Sequence, residues 1–92
     1  MPKQKQDLAL YSWVVRGSQR REIVRFIDGK RIPAQIYQEA SKRNPKITRN
    51  SVSDVLHAFR EKGIAKCLNP EEKKGRVYVL TKKGKEIQKK IR

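Results

Sequence analysis

Two clusters in this 92-residue chain carry side chains with something to do chemically. The first is Arg49, Asn50, Ser51, Ser53, Asp54 and His57, short polar groups interleaved with apolar Val52, Val55, Leu56 and Phe59. The second is Lys73, Lys74 and Arg76 in "KKGR", with Lys46, Arg43 and Arg60 as further cations around the first. Such a set suits the edges and backbone of a nucleic acid. Asn bonds an adenine edge, Arg a guanine edge or a phosphate, and Asp54 can accept from a cytosine amino group, although a phosphate repels it. The plainer alternative is an ordinary solvated helix face and a solvated hairpin tip.

Catalysis and metal binding find little support. His57 is the single histidine and Cys67 the single cysteine. No Cys, Asp or Glu stands around His57 at metal-ligand spacing. A nucleophilic pair would need His57 with Cys67, which the pattern puts on a helix face and a strand. No enzyme activity, metal, cofactor or small-molecule ligand is expected. A lone cysteine also leaves no intrachain disulfide, and a strand thiol is more often inert than a redox switch.

The charge points the same way as the clusters. Twenty-four Lys/Arg against nine Asp/Glu give a net charge of +15, far beyond the roughly 2–8 charges that keep a small domain soluble. That field attracts polyanions. Residues 32–72 hold seven bases and five acids, whereas residues 73–92 hold nine bases and one acid, and residues 1–31 eight and three. Both ends are cationic around a nearly balanced middle. A chain from a proteome rich in Lys is the bland explanation. No run approaches the roughly 18 apolar residues of a membrane span, so a cytoplasmic, nucleoid-associated location is expected.

A single small domain must position these groups. Residues 1–7 read as a flexible polar tail and 8–92 as the domain. Residues 8–15, "LALYSWVV", are apolar enough for burial as strand, extended arm or short helix. A helix is predicted over 18–27, with Ser18 as a plausible N-cap and Ile23, Val24, Phe26 and Ile27 at helical spacing. Residues 30–32 suit a very short strand, and Pro33 the first turn of a second helix, which ends near Arg43 before Asn44-Pro45. Thr48 caps the clearest helix, whose stripe of Val52, Val55, Leu56 and Phe59 ends at the C′ glycine Gly63. Strands over 64–68 and 76–80 flank the turn "NPEEKKG". Thr81 caps a last helix with Ile87 and Ile91 four apart. The order makes a mainly α fold with a small β-hairpin, a winged helix-turn-helix: a three-helix core, a two-stranded wing and a C-terminal helix.

At these positions the chain also resembles a known family. "YSWVVRGSQRREIVRFI", "SVSDVLHAFREKGIAKCLNP" and "KKGRVYVLTKKGKEI" look like the winged-helix domain of small archaeal transcriptional regulators, in the broad group of MarR-like and ArsR-like repressors. The resemblance covers about residues 11–91. It implies that the third helix of the core, with Arg49 to Asp54 and His57, reads the major groove. It also implies that residues 73–76 form a wing against the backbone or minor groove. The chain departs from the pattern in its longer link, "SKRNPKIT", and in Asp54, where a basic or neutral residue is more usual.

The expected partner is double-stranded DNA. The last strand is apolar on both faces, so something must cover the second face. A homodimer through residues 8–15 and the C-terminal helix is expected, matching the two-fold reading of paired half-sites. The alternative is that Tyr11, Trp13 and Ile87 complete the core of one chain. Nonspecific architectural DNA binding, or RNA binding in a ribosome-associated protein, is the alternative function.

Overall fold

The computed structural model describes the backbone of residues 2–91 and the side chains of residues 8–91. Five helices and one two-stranded antiparallel sheet follow in the order α1 (Pro2–Arg16), α2 (Ser18–Arg25), α3 (Pro33–Arg43), α4 (Arg49–Glu61), β1 (Ala65–Cys67), β2 (Tyr78–Leu80) and α5 (Lys82–Ile91). The mainly α composition with a small hairpin is therefore as expected. Of the open possibilities for residues 8–15, the chain takes a helix. The expected boundary at residue 8 falls inside α1, whose backbone already runs from Pro2; Met1 lies outside the described residues.

One core gathers the apolar faces of all these elements. Ile23, Val24, Ile36, Val52, Leu56 and Phe59 are fully buried, and each such side chain contributes roughly 1.5–3 kcal/mol on leaving water. The stripe predicted on α4 is the face that meets this core, with Val55 at its edge. From α1, Val14 is fully buried, and Trp13 meets Phe59 edge to face at 5.9 Å. Arg20 and Lys62 lie over the Trp13 ring at 4.4 and 4.9 Å, and the Arg20 Nε donates to the Trp13 carbonyl at 2.8 Å. Ile87 from α5 is buried as well. Trp13, Val14 and Ile87 thus join the core of their own chain, whereas Val79 on the second face of β2 stays half-buried beside an open groove.

Each helix end has its own chemistry. The Thr48 hydroxyl accepts from the Ser51 N–H at 3.1 Å while the Ser51 hydroxyl accepts from the Thr48 N–H at 2.7 Å, a reciprocal cap. α4 ends in a Schellman motif: the Ile64 N–H donates to the Phe59 carbonyl and the Gly63 N–H to that of Arg60. Gly63 has φ +75°, the left-handed conformation that this ending requires. The predicted cap at Ser18 is not made. Ser18 is the first helical residue, behind Gly17, which has no side chain to offer. Ile32 has no capping group either. Its N–H is instead accepted by Gln35 Oε1 at 3.0 Å, which explains how α3 starts from an apolar residue.

The end of α2 is closed from across the molecule. Helix α2 stops at Arg25, two residues short of the expected span, and Gln88 on α5 donates from Nε2 to the carbonyls of Val24, Arg25 and Ile27 at 2.9, 3.2 and 3.1 Å. They are carbonyls of the last turn of α2 and its exit, where acceptors run out of intrahelical partners; that of Val24 also accepts from the Ile27 N–H at 3.3 Å. Nearby, Glu22 is 6% exposed and accepts from Arg25 Nε and Arg43 Nε, both at 3.0 Å, which ties α2 to α3. In the sheet, Lys66 pairs with Val79 and Cys67 with Tyr78. The short strand expected at 30–32 is a single antiparallel bridge between Arg31 and Tyr78.

Candidate nucleic-acid interface

The outer face of α4 is set by its inner one. With Val52, Leu56 and Phe59 in the core, the 3.6-residue period turns Asn50, Ser53, Asp54 and His57 to solvent, and all four are exposed. His57 Nε2 lies 3.1 Å from Glu61 Oε1, a pair in which both side chains are about 70% exposed. The outer face therefore carries two carboxylates, Asp54 and Glu61, beside Arg49 at its start. Its own charge is not cationic.

The cations come from the hairpin. Asn69 organises that turn: its Oδ1 accepts from the Val77 N–H at 2.7 Å, and its Nδ2 donates to the Gly75 carbonyl at 3.2 Å. The Arg76 Nε donates to the Glu72 carbonyl at 2.6 Å, and the Leu68 N–H to that of Val77 at 2.8 Å. Lys73 and Lys74 are left exposed at the tip. Replacing Asn69 with Ala removes both bonds and leaves the half-buried Val77 N–H without its acceptor. We expect destabilisation by about 1–2 kcal/mol, with amide exchange accelerated between residues 68 and 77 and unchanged in α4. Unchanged protection in the turn would show that Asn69 does not hold it.

Helix face and hairpin tip meet. Ser53, Asp54 and His57 line one groove with Lys73, Lys74 and Arg76, over a floor of Tyr78 and the first turn of α3. Its volume is about 550 Å³. A second, smaller hollow along the same helix is lined by Pro33, Ala34, Arg49 and Ser53, so the concave surface continues to the start of α4. Arg49 is held over the Tyr37 ring at 5.5 Å. The N-terminal turn of α3 adds the partial positive charge of its helix dipole to the groove.

Other candidates are placed elsewhere. Ser51 spends its hydroxyl on the α4 cap rather than on the groove. Arg43 bonds Glu22. It thus serves the α2–α3 joint, although its side chain remains 54% exposed. Asn50 and Lys46 are exposed beside Arg49, and Arg60 is half-buried on the flank; none of these three lines the groove. The long link before α4 is compact because Ile47 is buried, its N–H donating to the Asn44 carbonyl at 3.0 Å while Asn44 Oδ1 accepts from the Lys46 N–H at 3.1 Å. Asn69, Pro33, Ala34 and Tyr78 were not among the expected site residues. The Asn-Pro step before "EEKKG" was the one local sign of a side chain shaping that turn.

Cys67 is half-buried, its Sγ 3.6 Å from Asn69 Oδ1. Among the described residues no group of three His, Cys, Asp or Glu is placed to hold a metal ion, and no helix is long and apolar enough to cross a membrane. No family model, curated protein or solved structure matches this chain.

Proposed function

We propose that this protein is a winged helix-turn-helix regulator of transcription that binds double-stranded DNA in the nucleoid. In this reading α4 enters the major groove and the hairpin is a wing whose tip lies on the backbone or in the minor groove. The carrying observation is the shared groove: the exposed polar face of α4 and the cations of residues 73–76 line one concavity on a chain of charge +15. Ser53 and Ala34 are small enough to let a backbone approach. Arg49 and Asn50 supply the groups suited to base edges, while Lys73, Lys74 and Arg76 supply phosphate contacts.

A second reading has its own support. Asp54 and Glu61 make the outer face of α4 a poor attractor, so most of the attraction would come from backbone contacts indifferent to sequence. That favours an architectural DNA protein or a ribosome-associated RNA binder. Selection of bound fragments from the native genome, followed by competition at fixed salt, separates these readings. A regulator prefers some duplex site by a factor of about 10³ or more over random duplex. Equal binding to all duplexes makes the protein architectural, and better competition by structured RNA than by every duplex fragment ends the DNA reading.

The homodimer through residues 8–15 and α5 would rest on what those helices leave outside the core: Leu8, which is 63% exposed, and the edges of Leu10, Tyr11 and Ile91. Paired half-sites about one helical turn apart in the selected fragments would support it.

A further inference from the structure

Side chains of a strand alternate between its faces, and Val79 points away from the side on which Tyr78 meets the α4 groove. There a second groove of about 510 Å³ lies between the hairpin, residues 27–30 and α5. Its apolar lining is aliphatic, from Ile27, Leu68, Val79 and Leu80, and Leu68 is 45% exposed. Four lysines surround it: Lys30 from the loop, Lys66 from β1, and Lys85 and Lys89 one helical turn apart on α5. All four are exposed, and Asp28 is the one acid among the lining residues.

The composition selects among polyanions. A hydrated duplex backbone gains nothing from an aliphatic floor. Bases of a single strand stack on aromatic rings, and the lining has none. A small anionic amphiphile binds where a cavity buries most of its surface, whereas the lysines and Leu68 leave this groove open to solvent. An extended protein segment satisfies both features. Its carboxylates meet the lysines, and an aliphatic side chain between them covers Val79 and Leu68.

We propose that this face docks an acidic segment of a partner protein that carries an aliphatic anchor. The site does not overlap the α4 groove, so the protein can hold both ligands. The probes are two labelled peptides of equal charge, "DEDLDELDE" and "DEDSDESDE", titrated by fluorescence anisotropy and mapped by amide and methyl shifts. The leucine peptide should bind at least tenfold tighter, since only it covers the apolar floor, and should shift Val79 and Leu68. Leu68→Ser, at an exposed position, should erase that preference. K85E/K89E should weaken both peptides at least tenfold, and K73A/K74A should leave both unchanged while weakening duplex DNA. Equal affinity for the two peptides, shifts centred on residues 73–76, or no binding below millimolar concentration would overturn the proposal. So would displacement of the leucine peptide by decanoate or by single-stranded RNA at lower concentration.

Discussion

We expect Gly84→Ala to unfold roughly 10–20 °C below the parent protein, the equivalent of about 2–3 kcal/mol of destabilisation. Helix propensity alone gives the opposite sign, because Ala in place of a helical Gly normally stabilises by about 0.5–1 kcal/mol. Tertiary packing decides the matter. A β-carbon at Gly84 would collide with the Ile64 carbonyl oxygen and touch Leu80 Cδ2 at 3.0 Å. The first is backbone at the junction of α4 and β1, which is tied down by the Ile64–Phe59 bond and by the Thr81 N–H donating to Ile64 at 3.0 Å. Neither side can move without breaking the α5 start, where the Thr81 hydroxyl donates to the Gly63 carbonyl at 2.6 Å and accepts from the Gly84 N–H at 3.2 Å. Thermal melts followed by circular dichroism measure the effect. A higher melting temperature for the variant would mean that α5 does not approach this closely.

The second large effect concerns binding. Replacing Lys73, Lys74 and Arg76 with Ala should reduce duplex affinity across all sequences, and the slope of log K against log salt should shrink by about one for each phosphate no longer neutralised. With all three cations removed, affinity at about 0.1 M salt should fall tenfold or more. Arg76 also bonds the Glu72 carbonyl, so the double variant K73A/K74A, which keeps that bond, tells a missing cation from a loosened turn. Its slope should shrink by about two. An unchanged slope in both variants would make the hairpin tip an ordinary solvated loop. Asn50→Ala and Arg49→Ala should behave differently, lowering the preference for the selected site more than the affinity for random duplex.

The readability of the fold varied with how local its causes were. Helix α4 was legible almost to the residue because its stripe, its Thr48 cap and its Gly63 ending all lie within the segment. Helix α3 was legible from Pro33 and from the Asn44-Pro45 stop. Residues 8–15 were not, because an apolar run without clear polar spacing fits strand and helix alike. The helix forms where Val14 and Trp13 find Val24, Phe59 and Leu56 in the same core, a fact about the neighbours. Ser18 looked like a cap by residue type. The true cap position fell one residue earlier, and boundaries of this kind depend on where the preceding helix delivers the chain.

The site divides along the same line. Helical period alone placed Asn50, Ser53, Asp54 and His57 outside. Composition alone placed the cations at residues 73–76. Neither could show that Ser53, Asp54 and His57 share a groove with Lys73, Lys74 and Arg76, because that depends on the Asn69 bonds that aim the hairpin and on the Arg31–Tyr78 bridge beside it. Nor could residue type show that Arg43 is bound to Glu22, twenty-one positions away. What the sequence by itself determined was α3, α4 and the hairpin, the buried stripe of α4 and a charge suited to a polyanion, since these follow from local periodicity and from counting. Only the tertiary structure decided which cations face the groove, why Gly84 must lack a side chain, and why Gln88 is buried among carbonyls. Those depend on distances between segments far apart in the chain, which packing sets and no local pattern encodes.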